Sequence, residues 1–145
     1  MQIQKAQPYD IDLLVQLVLG LWPDNTAEQM HADLSEILQK DDAAFFLAFD
    51  VDSPVGFAQC QLRHDYVEGT ESSPVGYLEG IFVKEDYRKQ GIASKLLHTC
   101  ESWAKENGCI EFASDCELTN EESLLFHLHM GFAEANRIIC FAKKL

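Results

Sequence analysis

The sequence predicts an α/β fold of the α+β type, a mixed central sheet flanked by helices, and three observations carry that expectation. Apolar residues recur at helical spacing in several stretches. Short β-branched and aromatic runs bounded by turn residues lie between them. In the second half strands and helices alternate, which demands a crossover connection and therefore a parallel strand pair. At 145 residues the chain is long enough for one core and short for two, so a single domain spanning 1–145 is expected.

The elements follow in order. Residues 1–6 read as a strand, and Pro8-Tyr9-Asp10 punctuates the chain before a helix with Leu14, Leu17, Val18 and Leu21 on one face and Asp10 as its expected N-cap. Pro23-Asp24-Asn25 stops that helix. Thr26 with Gln29 has the form of a capping box, and Met30, Leu34, Ile37 and Leu38 give the next helix its buried face. The runs 43–49 and 55–64, separated by a turn at 50–54, read as a β-hairpin, and 65–73 as a polar loop. Val75–Val83 is the next strand. A turn at 87–90 opens a helix that carries Ile92, Leu96, Cys100, Trp103 and Ala104, with Gly108 closing it. A strand is expected at 110–114, a helix at 120–130 closed by Gly131, and a last strand at 138–142.

Composition narrows the functions. The formal charge of −13 repels phosphate backbones and anionic membranes, so nucleic acid is not an expected partner, and such a field concentrates cations instead. A polycationic small molecule is therefore a candidate substrate; acidity that serves solubility alone is the competing explanation. No apolar run approaches the roughly 18 residues needed to cross a bilayer. The start lacks a basic segment followed by an apolar core, so a soluble, cytoplasmic protein is expected. The five cysteines are odd in number and never at Cys-x-x-Cys spacing, which argues against a disulfide framework or a zinc site and for reduced, mostly buried thiols. His127 and His129 are two apart on a helix and face different directions, so no metal pair is expected.

The sharpest local signal is Arg88-Lys89-Gln90-Gly91-Ile92-Ala93, which follows a strand and opens an amphipathic helix. Main-chain N–H groups are unpaired there and the helix dipole is positive, so the segment suits a pyrophosphate. Gly91 lets the main chain approach a phosphate, Ala93 avoids obstructing it, and Arg88 and Lys89 add positive charge. The plainer reading is a helix start with two exposed basic residues.

Glu79 lies inside a run of strand formers, where burial of a carboxylate without a partner costs several kcal/mol. Either an ion pair or a ligand-facing position explains it, and few basic residues fall near it in sequence, which favours the ligand. Asp115 ends a strand, where crossover sheets display functional groups, and is suited to accept from an ammonium; a turn or helix-entry charge is the alternative. Trp22 and Tyr66 stand at element ends and suit either stacking on sugar rings or core packing.

The pattern Arg-x-x-Gly-x-Ala after a strand, with a later helix ending in Gly131-Phe132, resembles the acetyl-CoA site of the GNAT acetyltransferase superfamily. Within it, Arg63-His64-Asp65-Tyr66-Val67-Glu68-Gly69, Ser73-Pro74-Val75, Leu78-Glu79-Gly80-Ile81-Phe82-Val83 and Phe112-Ala113-Ser114-Asp115 resemble the aminoglycoside 6'-N-acetyltransferases, in the same order and at matching spacing. The resemblance implies a GNAT acyl-CoA acetyltransferase fold, acetyl-CoA as donor, no metal, a homodimer, and transfer of acetyl to the 6'-amine of a cationic aminoglycoside by direct attack in a ternary complex, conferring antibiotic resistance. Strand Leu78–Val83 is expected to splay from 110–114, with main-chain groups of Ile81, Phe82 and Val83 holding the pantetheine arm. Residues 88–93 hold the diphosphate, Asn120 lies near coenzyme A, and Trp22, Tyr66, Glu79 and Asp115 contact the antibiotic. Two positions depart from the pattern. Asn136 stands where an acidic residue is frequent, which weakens one ammonium contact, and His127 stands where a tyrosine commonly protonates the departing thiolate. The alternatives are a GNAT enzyme acting on another polyamine or a protein amine, and a non-catalytic acidic module that binds a basic partner.

Overall fold

The computed structural model describes residues 1–145. Its order is β1 (Gln2–Lys5), α1 (Ile11–Leu21), α2 (Ala27–Ile37), β2 (Ala43–Asp50), β3 (Ser53–Arg63), β4 (Val75–Val83), α3 (Ile92–Glu106), β5 (Phe112–Ser114) and α4 (Glu121–His129). The sheet runs β1-β2-β3-β4-β5, antiparallel through β4 and parallel between β4 and β5, so the mixed sheet and the crossover are as expected. No helix is long and apolar enough to cross a membrane.

Strand β2 explains the layering, because it is buried on both faces. Phe45, Leu47 and Phe49 pack with Leu14, Leu17, Val18 and Leu34 of α1 and α2 on one face. Ala44, Phe46 and Ala48 pack with Leu96, Leu97, Cys100 and Trp103 of α3 on the other. Each fully buried Phe or Leu contributes about 1.5–3 kcal/mol of transfer free energy. Helix α4 joins the α3 side through Phe126 and Met130.

The ends of the helices follow local chemistry. Thr26 Oγ1 accepts from Gln29 N at 3.1 Å, but Gln29 Nε2 turns to Asp33 at 2.9 Å, so only half of the expected capping box forms. Asp10 occupies the N-cap of α1 without capping it; its carboxylate instead accepts from the main-chain N–H of Gln7 at 2.8 Å. Asn120 caps α4 by accepting from Ser123 N at 3.1 Å. Gly108 and Gly131 follow α3 and α4 with φ of 87° and 93°, the left-handed conformation that suits glycine.

Two expectations are corrected. Residues 138–142 form no strand, and Ile138, Ile139 and Phe141 are exposed, because no strand of the same chain runs alongside to pair with them. Strand β5 begins at Phe112, leaving Ile110 in solvent. The thiols are free and mostly buried, as expected: Cys60, Cys100 and Cys109 are buried, while Cys116 and Cys140 are exposed.

Gly76 marks where α3 and β5 close on β4: a Cβ there would meet Ala104 Cβ and Phe112 Cδ1, each at 2.6 Å. Gly76→Ala is expected to lower stability by about 1–3 kcal/mol through overpacking, read as a reduced urea midpoint at unchanged slope.

Candidate active site

The site grows from an irregularity in β4. Gln59 pairs with Gly80 and Cys60 with Leu78, so Glu79 is one extra residue opposite β3, a β-bulge. The bulge switches the facing of the strand. Before it, Leu78 faces α3; beyond it, Ile81 and Val83 do, while Gly80 and Phe82 turn to α1. The bulge also coincides with the end of pairing to β5, which stops at Leu78 and Ser114. From there to Val83 the far edge of β4 is open.

Register shows which groups line that edge. Lys84 N donates to Val55 O at 2.8 Å, so antiparallel alternation puts the polar groups of Phe82 in the ladder with Phe57 and leaves those of Ile81 and Val83 outside it. This corrects the expectation for Phe82, whose ring lies beside Phe57 and beneath Gly20 on the α1 side. Val83 O accepts from Arg88 Nε at 2.9 Å, which ties the strand end to the helix entry.

At that entry Gly91 is the N-cap of α3, with φ of 80° and nothing within 4 Å of where a Cβ would stand. Intrahelical bonding begins with Lys95 N donating to Gly91 O at 3.1 Å, so the amides of Ile92, Ala93 and Ser94 have no acceptor within the helix. Lys89, also at positive φ, and Gln90 are exposed beside them. Open space, donors and a positive dipole end fit a diphosphate. Asn120 lies at the start of α4, exposed and committed to its capping bond.

On the α1 side, Trp22 lies against Gly80, where a Cβ would meet its ring at 2.7 Å, and edge-on to Phe57 at 6.3 Å between centroids. It is 36% exposed, so it is neither core nor free in solvent. Tyr66, 77% exposed, stands on the 65–73 loop over a cleft of about 470 Å³ that Asp42, Gln61, Arg63, Asp65 and Glu79 also line.

Glu79 has the partner that the sequence did not suggest. Arg63, at the end of β3, grips it with two bonds, Nε to Oε1 at 3.0 Å and an Nη to Oε2 at 2.9 Å. The preference for a ligand over an ion pair is thus corrected: Glu79 has the ion pair and also lines the cleft. The Arg63 guanidinium lies 3.5 Å above the Tyr77 ring, and the Tyr77 hydroxyl donates to Asp115 Oδ2. Burial, and next the bond to Asp115, hold the Tyr77 phenol well above its usual proton affinity, so it remains a donor and Asp115 the acceptor.

His127 Nδ1 lies 2.7 Å from the Ser123 carbonyl, which only accepts, so Nδ1 carries the proton. Nε2 then accepts from Ser114 Oγ at 2.7 Å, and His127 is thereby joined to the strand end that carries Asp115. The structure therefore gathers Glu79, Asp115 and His127 around the point where β4 and β5 part. Asn136 donates to Glu68 at 3.1 Å, on the loop that carries Tyr66. No group of three or more His, Cys, Asp or Glu side chains is placed to hold a metal ion. Sequence reasoning missed Arg63, Tyr77 and Ser114. The two-residue spacing of Tyr77 and Glu79 was the available signal for a shared strand face.

Residues 12–132 match the family model of the acetyltransferase (GNAT) family, and the chain belongs to that family. Among its members the chain is similar to the aminoglycoside N(6')-acetyltransferase type 1 of Serratia marcescens, 41% identical over 94% of each chain. The enzyme of the same name from Stenotrophomonas maltophilia is 41% identical over 99% of this chain and 93% of its own. The fold superposes on AAC(6')-Iy in complex with the bisubstrate analog CoA-S-monomethyl-acetylneamine, with a TM-score of 0.95, 38% identity, and coverage of 99% of this chain and 98% of that one.

Gly80→Ala is expected to displace the Trp22 indole and change its fluorescence while the urea midpoint moves little, because the clash is with a side-chain tip. The Trp22→Phe spectrum supplies the Trp103 baseline; an unchanged Trp22 signal would refute the contact.

Proposed function

We propose that this chain, as one domain over 1–145, is an aminoglycoside 6'-N-acetyltransferase that uses acetyl-CoA as donor and confers resistance to these antibiotics. The observation that carries the reading is the joining of two features at one open strand edge: the phosphate-suited entry of α3 at one end, and the carboxylates of Glu79 and Asp115 at the other. The similarity to enzymes of that activity supports it.

Acetyl-CoA supplies the acyl group as a thioester. Amides at Gly91–Ala93, with Arg88, Lys89 and Gln90 beside them, receive the diphosphate, and main-chain groups of Ile81 and Val83 receive the pantetheine arm and polarise the carbonyl. Trp22 and Tyr66 form apolar walls for sugar rings, and Glu79 and Asp115 orient the ammonium. Direct attack needs a neutral amine. For an amine about two pH units above neutral, deprotonation costs roughly 2.7 kcal/mol, which a positioned carboxylate or a water between them can supply. An anionic cleft opposes that step by favouring the ammonium, so the charge balance around the two carboxylates matters. The amine's proton and the proton the thiolate needs balance, and His127 Nε2, which accepts from the Ser114 hydroxyl, is the atom suited to take one up and return it through that hydroxyl.

The acceptor is a polycation drawn by the −13 charge, and the cell compartment is the cytoplasm, where acetyl-CoA is available and five free thiols stay reduced. A homodimer fits the unpaired, apolar 138–142 segment and the open edge of β5, which a second copy would cover. Light scattering at twice the chain mass is the expected result.

Thiol release from acetyl-CoA is expected with kanamycin and to be at least tenfold slower with spermidine or a lysine peptide. Reaction with spermidine or the peptide alone moves the chain to another amine substrate, and release with none leaves an acidic binding module. Gly91→Val forces a branched side chain into a left-handed conformation. It is expected to raise the KM for acetyl-CoA severalfold with that for kanamycin unchanged.

A further inference from the structure

Glu79 and Asp115 are not equivalent. Glu79 meets a full positive charge in a two-point grip, whereas Asp115 meets only the neutral hydroxyl of Tyr77 and pairs with no basic side chain. One guanidinium and one phenol link them: Arg63 lies on the Tyr77 ring 3.5 Å from its centroid, and Tyr77 reaches Asp115. A phenol that donates to a carboxylate has a more electron-rich ring, which strengthens its attraction for the cation above it. Glu79, Arg63, Tyr77 and Asp115 therefore form one chain of contacts from the bulge of β4 to the end of β5.

Arg63 and Glu79 are both partly solvated, which limits what even a two-point ion pair adds to folding. Arg63 also occupies the wall of a cleft whose other charged lining, Asp42, Asp65 and Glu79, is acidic. A cation in a pocket that must admit polycations opposes binding unless it performs another task.

Resting on the acceptor reading above, we infer that Arg63 is a positioning residue that cancels the charge of Glu79 and, through Tyr77, orients Asp115, so that of these two carboxylates only Asp115 presents an uncompensated negative charge to the reacting ammonium. Glu79 in its grip acts as a fixed hydrogen-bond acceptor. The arrangement limits how strongly the cleft holds the amine in its charged, unreactive form while keeping one anion to take its proton.

The test is a double-mutant cycle on steady-state kinetics with kanamycin and acetyl-CoA. Arg63→Gln is expected to lower kcat about tenfold or more without raising the KM for kanamycin, because the freed Glu79 holds the ammonium; the KM for acetyl-CoA stays within twofold. Adding Glu79→Gln to Arg63→Gln is expected to return kcat to the level of Glu79→Gln alone, since no charge is left to compensate. Arg63→Lys, which keeps the charge without the fork, recovers part of the loss and serves if Arg63→Gln fails to fold. Tyr77→Phe keeps the ring beneath Arg63 and is expected to lower kcat through loss of the Asp115 contact alone. Wild-type kcat in Arg63→Gln, additive losses in the double variant, or a parallel rise of both KM values overturns the inference while leaving the acetyltransferase reading intact. A wild-type protein inactive on kanamycin overturns both.

Discussion

One extra residue in β4 is the constraint on which the rest of the site depends. A strand in full register would keep its side-chain alternation and its partners to the end, and its edge polar groups would be consumed by the ladder. The bulge at Glu79 reverses the facing of the strand, so that Tyr77 and Gly80, on either side of it, both serve the acceptor side, the one beneath Arg63 and the other beneath Trp22. Past that point β4 has a neighbour only on the β3 side. The open edge that an edge strand normally has to conceal is left free here, with polar groups suited to a ligand's amides.

Electrostatics divide this surface. At the α3 end, free amides and a helix dipole make a region suited to anions in a strongly acidic protein. At the β5 end, carboxylates dominate. On the function proposed above, a donor that is anionic at its diphosphate and an acceptor that is cationic suit opposite ends of the same strand edge, and each end disfavours the wrong partner.

Most of the fold was legible because the elements announce themselves through period and punctuation. The apolar run of β2 and the stripe of α3 each map directly onto burial, and the turn read at 50–54 narrows to Val51-Asp52 between the paired Asp50 and Ser53. The candidate site was legible in residue type and less in partnership. Glu79 stood out as a carboxylate among strand formers, but its pairing with Arg63 depends on the register of β3 against β4, which a bulge shifts by one and which composition does not encode. The segment at 138–142 shows the converse. Its strand-forming residues satisfied the local pattern, yet a strand needs a neighbour, and the single chain brings none alongside. Asp10 shows local competition: a residue suited to cap a helix went to the nearer amide of Gln7.

The C-terminal segment is nevertheless tied down at one point. Ala135 sits against Gly69, where a Cβ would come within 2.5 Å of it, and the Asn136 amide donates to Glu68. These contacts fall on the loop that carries Tyr66, so the path of the tail sets the pose of that ring. On the function proposed above, drift at Ala135, Asn136 or Gly69 retunes which sugars the enzyme tolerates while every group assigned to the thioester stays the same, and selection by a new drug has a lever outside the chemistry.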